Sequence, residues 1–182
     1  MRGARGAVLG LLAIAGVVGA GGVAGVGADA PSPRATTISG ADLAGIPAAD
    51  RALALASRRW QRLARCPVAS LQPLGGAHPG TKVIHVNRTR RQLSGRNGRQ
   101  RFPYPRRTVI VKTGTVDGTL TLVAIMRKVA AGGAVTSWRF TEYTRGSDGS
   151  FSRVGGGQSL CTGCHVSATN TQASDYVFSR LS

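Results

Sequence analysis

Residues 108–129 read TVIVKTGTVDGTLTLVAIMRKV, two β-branched runs joined by Asp117-Gly118. An Asp-Gly pair between two such runs is a strong signal for a two-residue hairpin, because both turn positions need a positive φ that these residues tolerate. The sequence therefore predicts antiparallel strands over residues 108–116 and 119–129. The rest of the predicted fold is built outward from this hairpin.

Two further strands and one helix flank the hairpin. Residues 82–87 (KVIHVN) are short and β-branched, and residues 137–144 (SWRFTEYT) alternate so that Trp138 and Phe140 share a face. Residues 47–65 are predicted to form a helix, because their apolar side chains recur at helical spacing. These elements predict an α+β domain that is mainly an antiparallel β-sheet, with an N-terminal helix and a C-terminal cofactor-binding segment.

That C-terminal segment contains Cys161-Thr162-Gly163-Cys164-His165. Two thiols three positions apart, followed directly by a histidine, are the pattern of covalent haem attachment. Each sulfur adds to one vinyl group, and the imidazole reaches the iron. The motif predicts one haem c per chain, with Cys161 and Cys164 as attachment points and His165 as the metal ligand.

Two other uses of the motif stay open. A structural zinc site needs four ligands, and the residues that could complete it, none of them in a second paired motif, are Cys66, His78 and His85. A thioredoxin-like dithiol would lie at the start of a helix in a βαβ unit, whereas only 17 residues follow His165. Cys66 is the odd thiol, and it is predicted to be a small buried side chain.

Whether a side chain occupies the second axial position of the iron distinguishes a protein that reacts with small molecules from an electron carrier. No Met or His follows His165, so a distal ligand would have to come from Met126, His78 or His85. If none of these reaches the iron, the position is open and suits binding or chemistry on a small molecule.

The amino end has the order of a secretory signal. Two arginines precede an apolar run that ends in small residues, and cleavage after Ala28 fits the small-x-small rule. Residues 1–28 are therefore predicted to be a signal peptide, residues 29–45 a flexible leader, and residues 46–182 a single domain. Export to a periplasmic or extracellular location agrees with a haem that is attached outside the cytoplasm. A retained membrane anchor is the alternative.

The chain is strongly basic, with 24 Lys and Arg against 7 Asp and Glu and a net charge of +17. Eight of the arginines fall within residues 88–107, which are predicted to form either a positive surface for an acidic redox partner or a solvated loop. Nucleic acid is not an expected partner, because no aromatic residue is interleaved with these arginines before Phe102 and Tyr104.

Lysine is rare in this chain, which makes each lysine informative. Beside 21 arginines, the only lysines are Lys82, Lys112 and Lys128. Arginine serves wherever charge alone is needed, so a lysine can mark a place that requires an amine able to lose its proton; chance retention is the alternative. A regular two-residue turn would set Lys112 opposite Val123, on a face with Ile110 and Ile125.

Several short stretches combine into a recognisable pattern: Arg59-Trp60, residues 83–87, residues 108–112, Met126-Arg127-Lys128, Trp138-Arg139-Phe140, the haem motif, and Asp175-Tyr176-Val177-Phe178. In this combination the chain resembles the cytochrome P-460 family, which are extracytoplasmic c-type haem proteins of mostly antiparallel β fold. The resemblance covers roughly residues 50–182.

By this resemblance, Cys161 and Cys164 hold the haem, His165 is the proximal ligand, and Lys112 is the lysine that cross-links covalently to the porphyrin edge. The activity that the resemblance implies is oxidation of hydroxylamine, or a similar small nitrogen compound, at a five-coordinate haem. Electrons would pass to an external acceptor, for which an acidic redox protein is a candidate. The resemblance also implies a homodimer.

A distal carboxylate takes protons from the substrate in that family. Residues 123–125 read VAI where the carboxylate is sought, and the nearest remaining acids in the sequence are Glu142 and Asp175. A related protein, cytochrome c′-beta, shares the fold, lacks the cross-link and binds nitric oxide or similar gases without turnover. Gas binding is therefore the first alternative function, and electron transfer is the second. An apolar distal lining for gas binding would come from Ile110, Val123, Ile125 or Phe140.

Overall fold

The computed structural model describes residues 38–65, 78, 80–167 and 175–181. These residues belong to one compact unit, Ala35–Ser182. The predicted signal peptide and Cys66 lie outside the described residues. Within the described residues, no helix is long and apolar enough to cross a membrane.

The domain is α+β and mostly antiparallel sheet, which confirms the predicted fold class. The helices are α1 (Ala48–Ser57), α2 (Arg90–Leu93) and α3 (Gly157–Ser167), and short 3₁₀ turns cover Ala41–Leu43 and Val135–Ser137. The strands are β1 (Gln61–Arg65), β2 (Thr81–Val86), β3 (Val109–Val116), β4 (Thr119–Lys128), β5 (Trp138–Arg145), β6 (Phe151–Arg153) and β7 (Ser179–Arg180). They form one sheet in the order β6-β5-β4-β3-β2-β1-β7.

The central hairpin is confirmed. Asp117 has φ 47° and Gly118 has φ 77°, so both turn residues are in the left-handed region that a two-residue hairpin requires. The four predicted strands correspond to β2, β3, β4 and β5, and each observed end lies within one residue of the predicted one. Three shorter strands, β1, β6 and β7, extend the sheet beyond these four.

The predicted helix is too long. It ends at Ser57, whose hydroxyl donates to the carbonyl oxygen of Ala54 at 2.8 Å. The chain then becomes β1, in which Leu63 is buried and Arg62 is exposed. This period-two alternation lets β1 pair with β2, where Leu63 lies opposite Ile84, and the pairing prevails over the helical propensity of the segment.

The predicted register of Lys112 is also wrong. The pairing of β3 with β4 shifts by one residue at Gly114/Thr115, so Lys112 lies opposite Ala124 and not Val123. Because side chains alternate along a strand, one extra residue moves the β4 side chains that follow it to the other face of the sheet. Val123 and Ile125 consequently pack in the core on the opposite side of the sheet from Ile110.

The sheet separates two hydrophobic clusters. The first is built on α1 and the 3₁₀ turn before it, and its buried residues include Leu43, Ile46, Ala54, Val111, Val123, Ile125 and Tyr143. The second lies between the other face and the C-terminal part of the chain, and includes Ile84, Ile110, Met126, Trp138, Phe140 and Val177. Leu43 is fully buried, so residues 38–45, predicted to be the end of a flexible leader, are folded onto the domain.

Candidate functional site

A cleft of about 890 Å³, including its open mouth, lies on the second face of the sheet. Its floor comes from β3, β4 and β5, and its other walls come from α3 and the chain around Val177. The lining is apolar apart from a few groups, among them His78, Lys112 and Glu142. A largely apolar cleft with a small number of converging polar groups is the usual form of a ligand or cofactor site.

The haem motif is on α3, which faces this cleft. Cys161 and Cys164 are separated by about one helical turn, so both thiols line the cleft, and both are free and half-buried. Burial raises the pKa of the Cys161 thiol, and the nearby Glu142 carboxylate adds to the effect. Cys161 is therefore held as a neutral thiol.

His165 has the environment of a metal-ligating imidazole. Its Nδ1 lies 2.6 Å from the carbonyl oxygen of Tyr176. A carbonyl oxygen only accepts, so Nδ1 carries the hydrogen and Nε2 keeps its lone pair, which is the tautomer that a ligand through Nε2 needs. Burial lowers the pKa of His165 to about 4, which keeps the ring neutral. Phe140 and Phe178 flank the ring, with centroids at 4.7 and 5.0 Å.

The segment that carries Tyr176 is anchored by a buried ion pair. Lys128 Nζ lies 2.7 and 2.9 Å from the two carboxylate oxygens of Asp175, and the two side chains are 0% and 1% exposed. The same carboxylate accepts the backbone N–H of Tyr104 at 2.7 Å. Asp175 and Tyr176 both have positive φ, at 55° and 61°. These contacts direct the Tyr176 carbonyl towards His165.

A polar chain of three side chains lies at another wall of the cleft. Lys112 Nζ is 2.8 Å from Nδ1 of His78, and His78 Nε2 is 2.9 Å from Oε2 of Glu142. Burial acts to raise the pKa of Glu142, but the hydrogen bond and charge of His78, with the charge of Lys112, outweigh it and hold the pKa below its usual value. Glu142 is consequently an ionised carboxylate facing an apolar cleft.

From the sequence, Glu142 was named as a remaining acid and was not placed in the site, although a signal for its position existed. Trp138, Phe140 and Glu142 are each two residues apart on β5, so Glu142 shares the face that the aromatic pair had already marked. His78 was named from the sequence only as a candidate ligand, because no predicted element or motif gave its position. The structure brings Lys112, Cys161, Cys164 and His165 to one cleft together with these two residues.

Only some of the other residues singled out from the sequence line the cleft. Met126 and His78, two of the three candidate distal ligands, line the cleft, whereas His85 is not among its lining residues. Of the proposed apolar lining, Ile110 and Phe140 contribute side chains of the second cluster. Ile125 borders the cleft although its side chain packs in the first cluster, and Val123 is not among the lining residues. All eight arginines of residues 88–107 lie outside the cleft lining, and all but Arg88 are exposed.

The side chains present fit a c-type haem. Two neighbouring thiols, an imidazole with its Nε2 lone pair available and an apolar cleft are what covalent attachment and axial ligation require. Within the described ranges, no three His, Cys, Asp or Glu side chains are grouped so that they could hold a metal ion on their own.

Comparison with known proteins assigns no family. No protein-family model matches the chain, and no curated protein matches it significantly in sequence.

Proposed function

We propose that this chain is an exported monohaem c-type protein of the cytochrome P-460 type, which oxidises hydroxylamine or a similar small nitrogen compound. One observation carries the proposal: Glu142 and Lys112 share an apolar cleft with Cys161, Cys164 and His165. A carboxylate and an amine in the same cleft as the attachment motif are the combination that this chemistry needs.

Each residue has a distinct task in this proposal. Cys161 and Cys164 hold the cofactor, and His165 supplies one axial ligand through Nε2. The bound haem would supply the redox-active iron that takes electrons from the substrate and passes them to an external acceptor. Lys112 is the candidate for a covalent bond to the porphyrin edge.

Glu142 is the candidate proton acceptor. Oxidation of an N–H or O–H compound releases protons, and a positioned carboxylate that is ionised at neutral pH can accept them. The lowered pKa of Glu142 favours the ionised form, and the hydrogen bond that His78 Nε2 donates at 2.9 Å stabilises that form. The largely apolar lining excludes water from most of the cleft, which limits side reactions of the substrate with water.

The proposal is tested first by a spectrum. Protein matured in a host that attaches haem should show a covalently bound haem, and its ferrous form should be high-spin and should bind carbon monoxide. Hydroxylamine should then reduce an artificial electron acceptor in the presence of the protein. Colourless protein from such a host would contradict the whole proposal.

The task of Glu142 has its own test. We expect Glu142→Gln to lower kcat for hydroxylamine by roughly 100-fold with little change in KM, because a general base typically contributes 10²–10⁴-fold. Asp148→Asn is the matched control, since Asp148 is an exposed carboxylate that bonds to Ser150 and does not line the cleft. An unchanged kcat in Glu142→Gln would remove Glu142 from the mechanism.

Two observations favour other functions. The apolar lining from Ile110 and Phe140 also suits a gas-binding protein of the cytochrome c′-beta type, and Met126 at the cleft suits an electron carrier with a thioether ligand. Mass spectrometry of the haem peptide distinguishes the gas-binding protein from the enzyme, because Lys112 is bonded to the macrocycle in the enzyme and unmodified in the gas-binding protein. A low-spin, six-coordinate spectrum would identify the carrier.

The proposed setting of the protein follows from the amino end and the charge. Export through cleavage after Ala28 agrees with haem attachment outside the cytoplasm. The exposed arginines of residues 88–107 support docking of an acidic redox partner. Electron transfer to such a partner should weaken as ionic strength rises, because exposed charges are screened.

A further inference from the structure

The connection between α2 and β3 ends in a strongly basic surface stretch, residues 101–107 (RFPYPRR), here called the basic arm. Its three arginines, its two prolines and Phe102 are exposed, Phe102 by 40%, and only Tyr104 is buried, at 1%. Arginine beside an exposed aromatic side chain is a combination that is enriched in protein interfaces and in the residues that dominate their binding energy. The basic arm therefore has the composition of a docking surface.

The backbone of the basic arm is held to the domain at several points. The backbone N–H of Tyr104 donates to the Asp175 carboxylate at 2.7 Å, and the Tyr104 ring packs edge-on against Trp138 with centroids 5.8 Å apart. The backbone N–H of Arg107 donates to the carbonyl oxygen of Lys128 at 2.8 Å. The exposed side chains thus project from a fixed backbone, which lowers the ordering cost of binding a partner.

The positive charge of the basic arm is not balanced by acidic residues nearby in the sequence. Residues 51–116 contain no Asp or Glu. The carboxylate that the arm does contact, Asp175, is buried and already paired with Lys128. Across the described part of the chain, the side chains of Arg101 and Arg107 make no hydrogen bond or ion pair. Their guanidinium groups are therefore available to the carboxylates of another molecule.

The basic arm is also connected to the imidazole that is proposed to bind the haem iron. Its Tyr104 N–H is bonded to Asp175, and the next residue, Tyr176, accepts the hydrogen bond from Nδ1 of His165 at 2.6 Å through its carbonyl oxygen. Two hydrogen bonds and the covalent chain of Asp175 and Tyr176 therefore lead from the arm to the imidazole. A bonded path of this kind couples an electron donor to an acceptor better than an equal gap through space.

We propose that the basic arm, with the adjoining Val129, is the docking surface for a small electron-carrier protein with an acidic surface. Val129 is 40% exposed, and its carbonyl oxygen accepts from Nε of Arg106 at 3.1 Å, so it extends the apolar area beside the arginines. This narrows the docking surface from residues 88–107 to the last seven of them and one neighbour.

The inference rests on the proposed function only for the source of the electron. In the transfer, the single electron that the haem loses reduces the carrier, no bond forms or breaks, and no proton moves. An anionic membrane is the other acidic surface to consider. The arginines lie on an irregular segment and not on an amphipathic helix, and a membrane would make no use of the path to His165, so a protein carrier is favoured.

The experiment uses plastocyanin as the probe, because it is an acidic blue-copper protein whose Cu(II) accepts one electron and loses its colour on reduction. Haem-loaded protein is reduced with dithionite, separated from the excess and mixed with oxidised plastocyanin in a stopped-flow instrument. The Kd of the complex is measured separately by biolayer interferometry. We expect binding and electron transfer at low ionic strength, with a second-order rate constant that falls as ionic strength rises.

Two variants test the surface, and a third controls for net charge. Arg101→Gln/Arg107→Gln should lower the rate constant at low ionic strength by at least about fivefold, because it removes steering charge at the docking surface. Arg51→Gln/Arg153→Gln removes the same charge from α1, on the other face, and from β6, at the far edge of the sheet, and should lower it by less than about twofold. Phe102→Ala should raise Kd by at least about fivefold, the loss expected for an aromatic residue at the centre of an interface.

The inference is overturned if the unmodified protein neither binds nor reduces plastocyanin, if the two double variants lower the rate equally, or if Phe102→Ala leaves Kd unchanged. Vesicles that contain phosphatidylserine test the membrane: binding to them that depends on the same three residues, without binding to plastocyanin, would overturn it too. Should a melting curve show that one variant is unfolded, the other still decides. No hydroxylamine is used, so docking and hydroxylamine oxidation can each fail while the other holds.

Discussion

Disruption of the buried Lys128–Asp175 pair should destabilise the domain strongly. At 2.7 Å the attraction between the two charges is about 6 kcal/mol for an effective dielectric constant of about 20. Most of this gain offsets the cost of removing both groups from water, but removal of one partner leaves the other charge buried and unpaired. We therefore expect Asp175→Asn to lower the free energy of unfolding by about 3–5 kcal/mol.

The choice of asparagine isolates the charge. Asp175 has φ 55°, which asparagine tolerates, and the asparagine side-chain oxygen can still accept the N–H of Tyr104. Lys128→Met should be similarly costly, whereas the double variant should cost clearly less than the sum of the two, because it leaves no unpaired charge. Asp148→Asn, on the surface, should change stability by less than about 0.5 kcal/mol.

Urea unfolding followed by circular dichroism measures these differences, and the melting temperature of Asp175→Asn should fall by about 10 °C. The reasoning is refuted if Asp175→Asn costs less than about 1 kcal/mol, or if the costs of the two single variants simply add. Either result would mean that the pair contributes little to holding the segment before β7.

Two further predictions concern the first hydrophobic cluster. Gly45→Ala should destabilise the domain by about 1–3 kcal/mol more than Gly98→Ala. Both glycines have positive φ, but only at Gly45 would the new methyl group overlap the Phe151 carbonyl oxygen. Urea unfolding of the two variants measures the difference. Burial and the Asp50 carboxylate raise the pKa of Tyr143 to about 12, so stability present below pH 10 should be lost as the pH rises from 10 to 12. An ultraviolet titration should show this late ionisation step, and Tyr143→Phe should abolish it.

The parts of the fold that local chemistry controls were predictable. Asp117-Gly118 selects a two-residue turn by its own backbone preferences, and the strands on either side follow from it. The register of Lys112 did not follow from the turn, because the pairing shifts by one residue at Gly114/Thr115. Gly114 was the available signal, since a glycine inside a strand often marks a bulge. This shift of one residue places Ala124, and not Val123, opposite Lys112.

Contacts between distant segments explain the other errors. Leu63 and its neighbours have sequences compatible with a helix, and only pairing with β2 makes them a strand. The cleft likewise joins residues that are 64 positions apart, such as His78 and Glu142. The haem motif was visible because its residues are adjacent, whereas this pair depends on the completed sheet.

The strands that begin and end the described sheet are very short. β6 has three residues and β7 has two, so each exposes few backbone groups that could template another chain. Growth of the sheet from molecule to molecule is therefore disfavoured at both margins. A homodimer of this protein would therefore form through side chains on a surface of the domain. Variants that lengthen β6 should aggregate into fibres, because a longer edge strand can pair with other molecules.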